Sequence, residues 1–195
     1  MRKEPKVKFG GVTVLLLVIL MVTGCVGQVE ETKTVERHTT PGTETQIPVV
    51  SELRISSPAF EMNGEIPIKY TCDGADINPP LLIEVIPEGT QSLVLIVDDP
   101  DAPGGTWAHW IVWNIPPVET IEEDSVPGTE GLNDFKKHSY GGPCPPSGTH
   151  RYFFKVYALD TTFDLPTTIT KTKVEQAMVG HILAKGELIG LYTRS

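Results

Sequence analysis

The chain has 195 residues, 39% of them hydrophobic, and a formal net charge of −9, a length and composition that permit one domain with enough apolar side chains for a core. Residues 1–24 hold four basic side chains and one acidic one, so the rest of the chain carries −12. A body this acidic excludes a nucleic-acid footprint and any long-range pull toward anionic headgroups.

Arg2, Lys3, Lys6 and Lys8 precede an apolar stretch of 11 residues, Val12–Val22. A bilayer span needs about 20, so the stretch reads as the hydrophobic part of a secretory leader. Val22-Thr23-Gly24-Cys25 follows. Small residues before a cysteine are the pattern of a lipoprotein cleavage site, which predicts a signal peptide over 1–24 and lipidation of Cys25. The alternative is an uncleaved N-terminal anchor with an incidental cysteine. Either reading tethers the protein at the cell membrane, on its extracytoplasmic face. Residues 25–50 mix Thr and Glu with few apolar side chains. Such a segment buries too little surface to offset its ordering entropy, so a flexible linker is expected, with the globular domain over 51–195.

Strands are predicted at Leu53–Ile55, at Ile66–Tyr70 (an edge, because of Pro67), and at Leu81–Ile86, Leu93–Val97, Ala108–Ile115 and Tyr152–Leu159. Val174, Ala177, Met178, His181 and Ile182 fall at helical spacing, predicting a helix over 171–185 that Gly186 stops, before a last strand at Leu188–Tyr192. Many short strands and one late helix make the chain mainly β: an antiparallel β-sandwich with a C-terminal helix and small helical additions. There is no internal repeat.

Two stretches carry chemistry. At 97–116 a buried run turns polar at Asp98, Asp99 and Asp101, with Pro100 and Pro103 stiffening the backbone, and a second strand returns with His109 near its start. At 140–157 another Gly/Pro loop, Gly141-Gly142-Pro143-Cys144-Pro145-Pro146, feeds another aromatic strand through His150-Arg151-Tyr152. Taken singly, each set is ordinary turn chemistry. Strand alternation places His150, Tyr152 and Phe154 on one face and Arg151, Phe153 and Lys155 on the other, and gives Asp99 and Asp101 a shared parity. By the same rule Trp110 and Trp113 face opposite ways, and Trp107 or Trp110 is expected to be the more exposed tryptophan.

Asp99-Pro100-Asp101-Ala102-Pro103, His109 ahead of Ile111–Pro116, the Gly-Pro-Cys-Pro-Pro loop with His150-Arg151-Tyr152, and the segments Tyr70–Gly74 and Asn78–Leu81 occur in that order. Together they resemble the phosphatidylethanolamine-binding protein family, in its prokaryotic, Raf kinase inhibitor-like branch, over about residues 52–193. The resemblance implies the same β-sandwich and a small pocket for phosphate-like anions or phospholipid headgroups. Its walls would be Asp99, His109, His150 and Tyr152, with Gly142 and Pro143 from the 141–146 loop. Imidazoles, a phenol and the Gly141-Gly142 amides offer donors to phosphate oxygens. Asp99 would orient a histidine or accept an ammonium. Asp101 and Arg151 are expected to support the site, Arg151 pairing with Asp101 or Asp98 on the far face.

With Cys25 assigned to lipid, Cys72 and Cys144 lie in loops that the motifs bring near the pocket. They form either a disulfide or two free thiols. No cofactor is implied. Two histidines and two aspartates invite a metal reading, but no His-x-x-x-His or Cys-x-x-Cys spacing occurs, and none is expected. His38, His138 and His181 read as incidental. Ser139 and Ser147 lack a nucleophile elbow and Cys144 lacks an activating neighbour, so the chain is not read as an enzyme. The expected function is a non-enzymatic, lipid-anchored binding protein for a small phosphorylated or anionic ligand. The alternative is a protein–protein regulator, such as a serine protease inhibitor acting through surface loops.

Overall fold

The computed structural model describes residues 50–194. The expected leader, Cys25 and all of the linker before Val50 lie outside the described residues.

The fold is built around β5 (Ser92–Asp99), in which all eight residues are buried. A strand wet on one face alternates in polarity, whereas one covered on both faces does not. Leu93, Leu95 and Val97 join one core with Trp110, Val112, Tyr152, Phe154 and Val156, and Val94 and Ile96 join a second core with Ile111, Trp113 and Leu159. Trp110 and Trp113 thus serve opposite faces, and Trp107, at 38% exposure, is the exposed tryptophan.

Beside β5 run β6 (Trp107–Ile115) and β9 (Gly148–Leu159), and β10 (Ile182–Arg194) lies beyond β9, all antiparallel. The two-residue strands β1 (Ser51–Glu52) and β3 (Gly64–Glu65) join β10 in parallel, and β8 (Thr129–Glu130) closes the other edge on β6. A second sheet of β2 (Arg54–Ser56), β4 (Leu81–Glu84) and β7 (Thr120–Ile121) covers one face with Ile55, Leu81, Ile83 and Ile121. Helix α1 (Lys171–Met178) covers the other with Val174 and Met178.

Two expected elements differ. Ile66–Tyr70 is not a strand. Ile66 N–H donates to the Leu191 carbonyl at 2.7 Å, but Pro67 has no N–H to continue the ladder, and the chain closes instead into a 3-10 turn at Ile68–Tyr70. The helix stops at Met178 rather than at 185, because Gly180 takes a left-handed φ of 86°. Ile182 and Ala184 then pair with Leu159 and Ala158 of β9, and Gly186 lies inside β10. Backbone pairing across the sheet outweighs the helical spacing of five side chains.

Candidate functional site

The C-terminal end of β5, the N-terminal ends of β6 and β9, and the C-terminal end of β10 lie at one edge of the main sheet, where Asp99 pairs with Trp107 and His150 with Tyr192. Asp99, His109, His150 and Tyr152 meet there. His150 Nδ1 donates to Asp99 Oδ2 at 2.7 Å, with both side chains buried. His109 Nδ1 donates to the Gly141 carbonyl at 2.7 Å, and its ring meets that of Tyr152 edge-on at 5.2 Å. The alternation along β9 is as expected: His150, Tyr152 and Phe154 are buried, while Arg151 is exposed.

Asp101 does not continue that alternation, because β5 ends at Asp99. Its N–H donates to Asp99 Oδ1 at 2.8 Å, an Asx turn that occupies the second carboxylate oxygen. Its own carboxylate points outward and takes a bidentate fork from Arg151, at 2.8 Å to Nε and 2.7 Å to Nη2. That guanidinium holds the Asp101 carboxyl down to about 2. Arg151 therefore braces the turn from the far face. Asp98 serves a different pair: its fully buried carboxylate takes Lys155 Nζ at 2.8 Å and Lys171 Nζ at 2.6 Å, joining β5, β9 and α1.

The electrostatics inside are set by burial. Desolvation lowers His109, against the opposing pull of the Gly141 carbonyl and the Asp99 carboxylate. Desolvation, then the Asp99 charge, raises the Tyr152 phenol. The Tyr152 hydroxyl is buried and makes no well-aligned hydrogen bond among the described residues, although the Asp99 carboxylate and the Cys144 amide lie within hydrogen-bonding reach, the first raising and the second lowering its ionisation. Orphaned buried hydroxyls are uncommon.

The loop wall is built differently from the expectation. The Gly141 N–H is spent on the His109 carbonyl at 3.1 Å and the Gly142 N–H on Asp76 Oδ1 at 2.6 Å, so neither is free for an anion. Gly142 is required for close packing: a Cβ there would lie 2.6 Å from the Tyr70 carbonyl oxygen and 2.8 Å from Thr71 Cα. The Pro143 carbonyl accepts from Cys72 N–H at 3.1 Å, and Cys72 and Cys144 form a disulfide with their Cα atoms 5.5 Å apart.

Sequence reasoning missed the 131–140 loop. Buried Asn133 donates to the His109 and Ser139 carbonyls, Asp134 accepts from Ala108 N–H at 2.7 Å, and Phe135 is thereby held edge-on to His109 at 5.1 Å. Asn and Asp in a polar loop announce a turn but not its distant partner. Among the described residues no cluster of three or more His, Cys, Asp or Glu is placed to hold a metal. A groove of about 710 Å³ is lined by Leu53, Ile55, Met62, Tyr157, Lys185 and others, and none of the four clustered residues lines it.

A family model described as phosphatidylethanolamine-binding protein matches residues 56–193. A UPF0098 protein of Pyrococcus horikoshii is 45% identical over 193 residues, covering 93% of this chain and 87% of its own, and one of Pyrococcus abyssi is 53% identical over 149 residues, covering 71% and 84%. Among solved structures, the Chlamydia trachomatis protein CT736, described as a phosphatidylethanolamine-binding protein homologue, superimposes with a TM-score of 0.71 at 41% identity, over 74% of this chain and 99% of that one. Escherichia coli YbcL, described as a member of the mammalian family, gives 0.69 at 30% identity, over 74% and 100%. The matched span, the identities and the common fold agree: the chain belongs to the phosphatidylethanolamine-binding protein family.

Proposed function

We propose that the chain is a non-enzymatic binding protein, lipid-anchored through Cys25 on the extracytoplasmic face, that holds a small phosphate-like anion between Asp99, His109, His150 and Tyr152. The observation that carries the reading is the buried Tyr152 hydroxyl, which makes no well-aligned hydrogen bond among the described residues. A donor left unsatisfied beside two histidines suits a site completed by a ligand oxygen. Both Asp99 oxygens already accept hydrogen bonds, from Asp101 N–H and His150 Nδ1, so they are turned toward the protein's own donors. No lysine or arginine belongs to the cluster, which makes for modest affinity. The lipid anchor is supported by the basic-apolar-Cys25 pattern alone.

Calorimetric titration with phosphate and phosphoethanolamine at pH 6 and pH 8 tests the reading. Binding that is stronger at pH 6 and lost in His150→Ala is the expected result. No binding at either pH would overturn it and leave regulation of a protein partner through surface loops.

A further inference from the structure

The histidine tautomers restrict which anion the site accepts, an argument that rests on the anion reading above. A carbonyl only accepts, so the 2.7 Å contact with Gly141 places the His109 proton on Nδ1. The ring is 3% exposed, and its burial opposes a second proton. With the proton on Nδ1, Nε2 carries a lone pair and is an acceptor. The neighbouring Gly141 and Gly142 amides cannot offset it, since both are spent within the protein. A fully ionised oxyanion brings acceptors only and would set an oxygen against that lone pair.

We infer that His109 is a specificity-determining residue, selecting an oxyanion that keeps an acidic hydroxyl. Hydrogen phosphate or a phosphomonoester monoanion donates its P–OH to His109 Nε2, while the Tyr152 hydroxyl donates to another of its oxygens. Sulfate and phosphodiesters have no such hydroxyl and are disfavoured.

The test titrates the purified full-length protein at pH 7 with inorganic phosphate, sulfate and dimethyl phosphate. Only phosphate retains a hydroxyl under these conditions. Sulfate and dimethyl phosphate are expected to bind at least about tenfold more weakly, the penalty for setting one acceptor against another. His109→Gln, whose amide supplies a donor, brings the phosphate-to-sulfate ratio toward one. Sulfate or dimethyl phosphate binding as tightly as phosphate to the unaltered protein would overturn the inference and leave the anion site standing. An unchanged ratio in a His109→Gln protein that unfolds cooperatively would do the same. Should that variant not fold, the ratios in the unaltered protein decide. Failure of all three anions to bind would overturn the anion reading and this inference with it.

Discussion

Tyr152→Phe separates stability from binding, because the two should move in opposite directions. The Tyr152 ring has zero exposure and belongs to the main core, with Val97, Trp110 and Phe154 among others, and substitution to phenylalanine leaves that packing in place. What is lost is a hydroxyl with no partner among the described residues. A buried hydroxyl without a hydrogen bond costs roughly 1–3 kcal/mol. The small void left behind and partial relaxation offset part of this, so a net gain of about 1 kcal/mol is expected. For a domain of this size that raises Tm by roughly 3 °C. Phosphate affinity should fall by roughly tenfold or more, as for loss of a hydrogen bond to a charged group. Thermal unfolding without phosphate and calorimetry with it measure the two effects. A Tyr152→Phe protein that is less stable without ligand would refute the reasoning, since the hydroxyl would then already be satisfied inside the protein, with the Asp99 carboxylate as the obvious acceptor.

Other consequences are open to similar measurements. Because burial depresses His109 below its ordinary 6.5, the unfolded chain binds more protons than the folded one between those two values. Its contribution to stability is therefore complete above about pH 6.5 and declines as pH falls toward the folded value; the urea midpoint should drop from pH 7.5 to pH 5, and drop less in His109→Gln. Asp98→Asn leaves Lys155 and Lys171 facing a neutral amide. Their side chains are 25% and 21% exposed and can turn partly to water, so the loss should be about 3 kcal/mol by urea unfolding, the low end for a broken buried pair. The Cys72–Cys144 bridge spans 72 residues. In the chain-entropy account a bridge of that span stabilises by about 4 kcal/mol, and a reductant should lower the urea midpoint of the parent but not of the Cys72→Ser/Cys144→Ser protein.

What the sequence determined by itself is local. The unbroken apolar run of Leu93–Val97 signals a strand covered on both faces, because alternation fails only when neither face is wet. Alternation also placed His150 and Tyr152 together and Arg151 apart, since successive side chains in a strand have no other choice. The order of the Asp-Pro, His and Gly-Pro-Cys-Pro-Pro segments was enough to bring Asp99, His109, His150 and Tyr152 into one reading, and the structure gathers all four. Tertiary structure decided how each polar group is spent. Asp101 leaves the alternation because it lies past the end of β5, in a turn capped by Asp99. Gly142 becomes a packing residue because Tyr70 and Asp76, far away in the chain, press against it. The helix yields to β10 because the N–H and C=O groups beyond Gly180 find partners on β9. The acceptor character of His109 arises from the Gly141 carbonyl, 32 residues distant. Side-chain periodicity is a property of the backbone and is written within a few residues. Hydrogen-bond partnership belongs to pairs that meet only on folding, and it is those pairs that set how each histidine and carboxylate of the cluster is held.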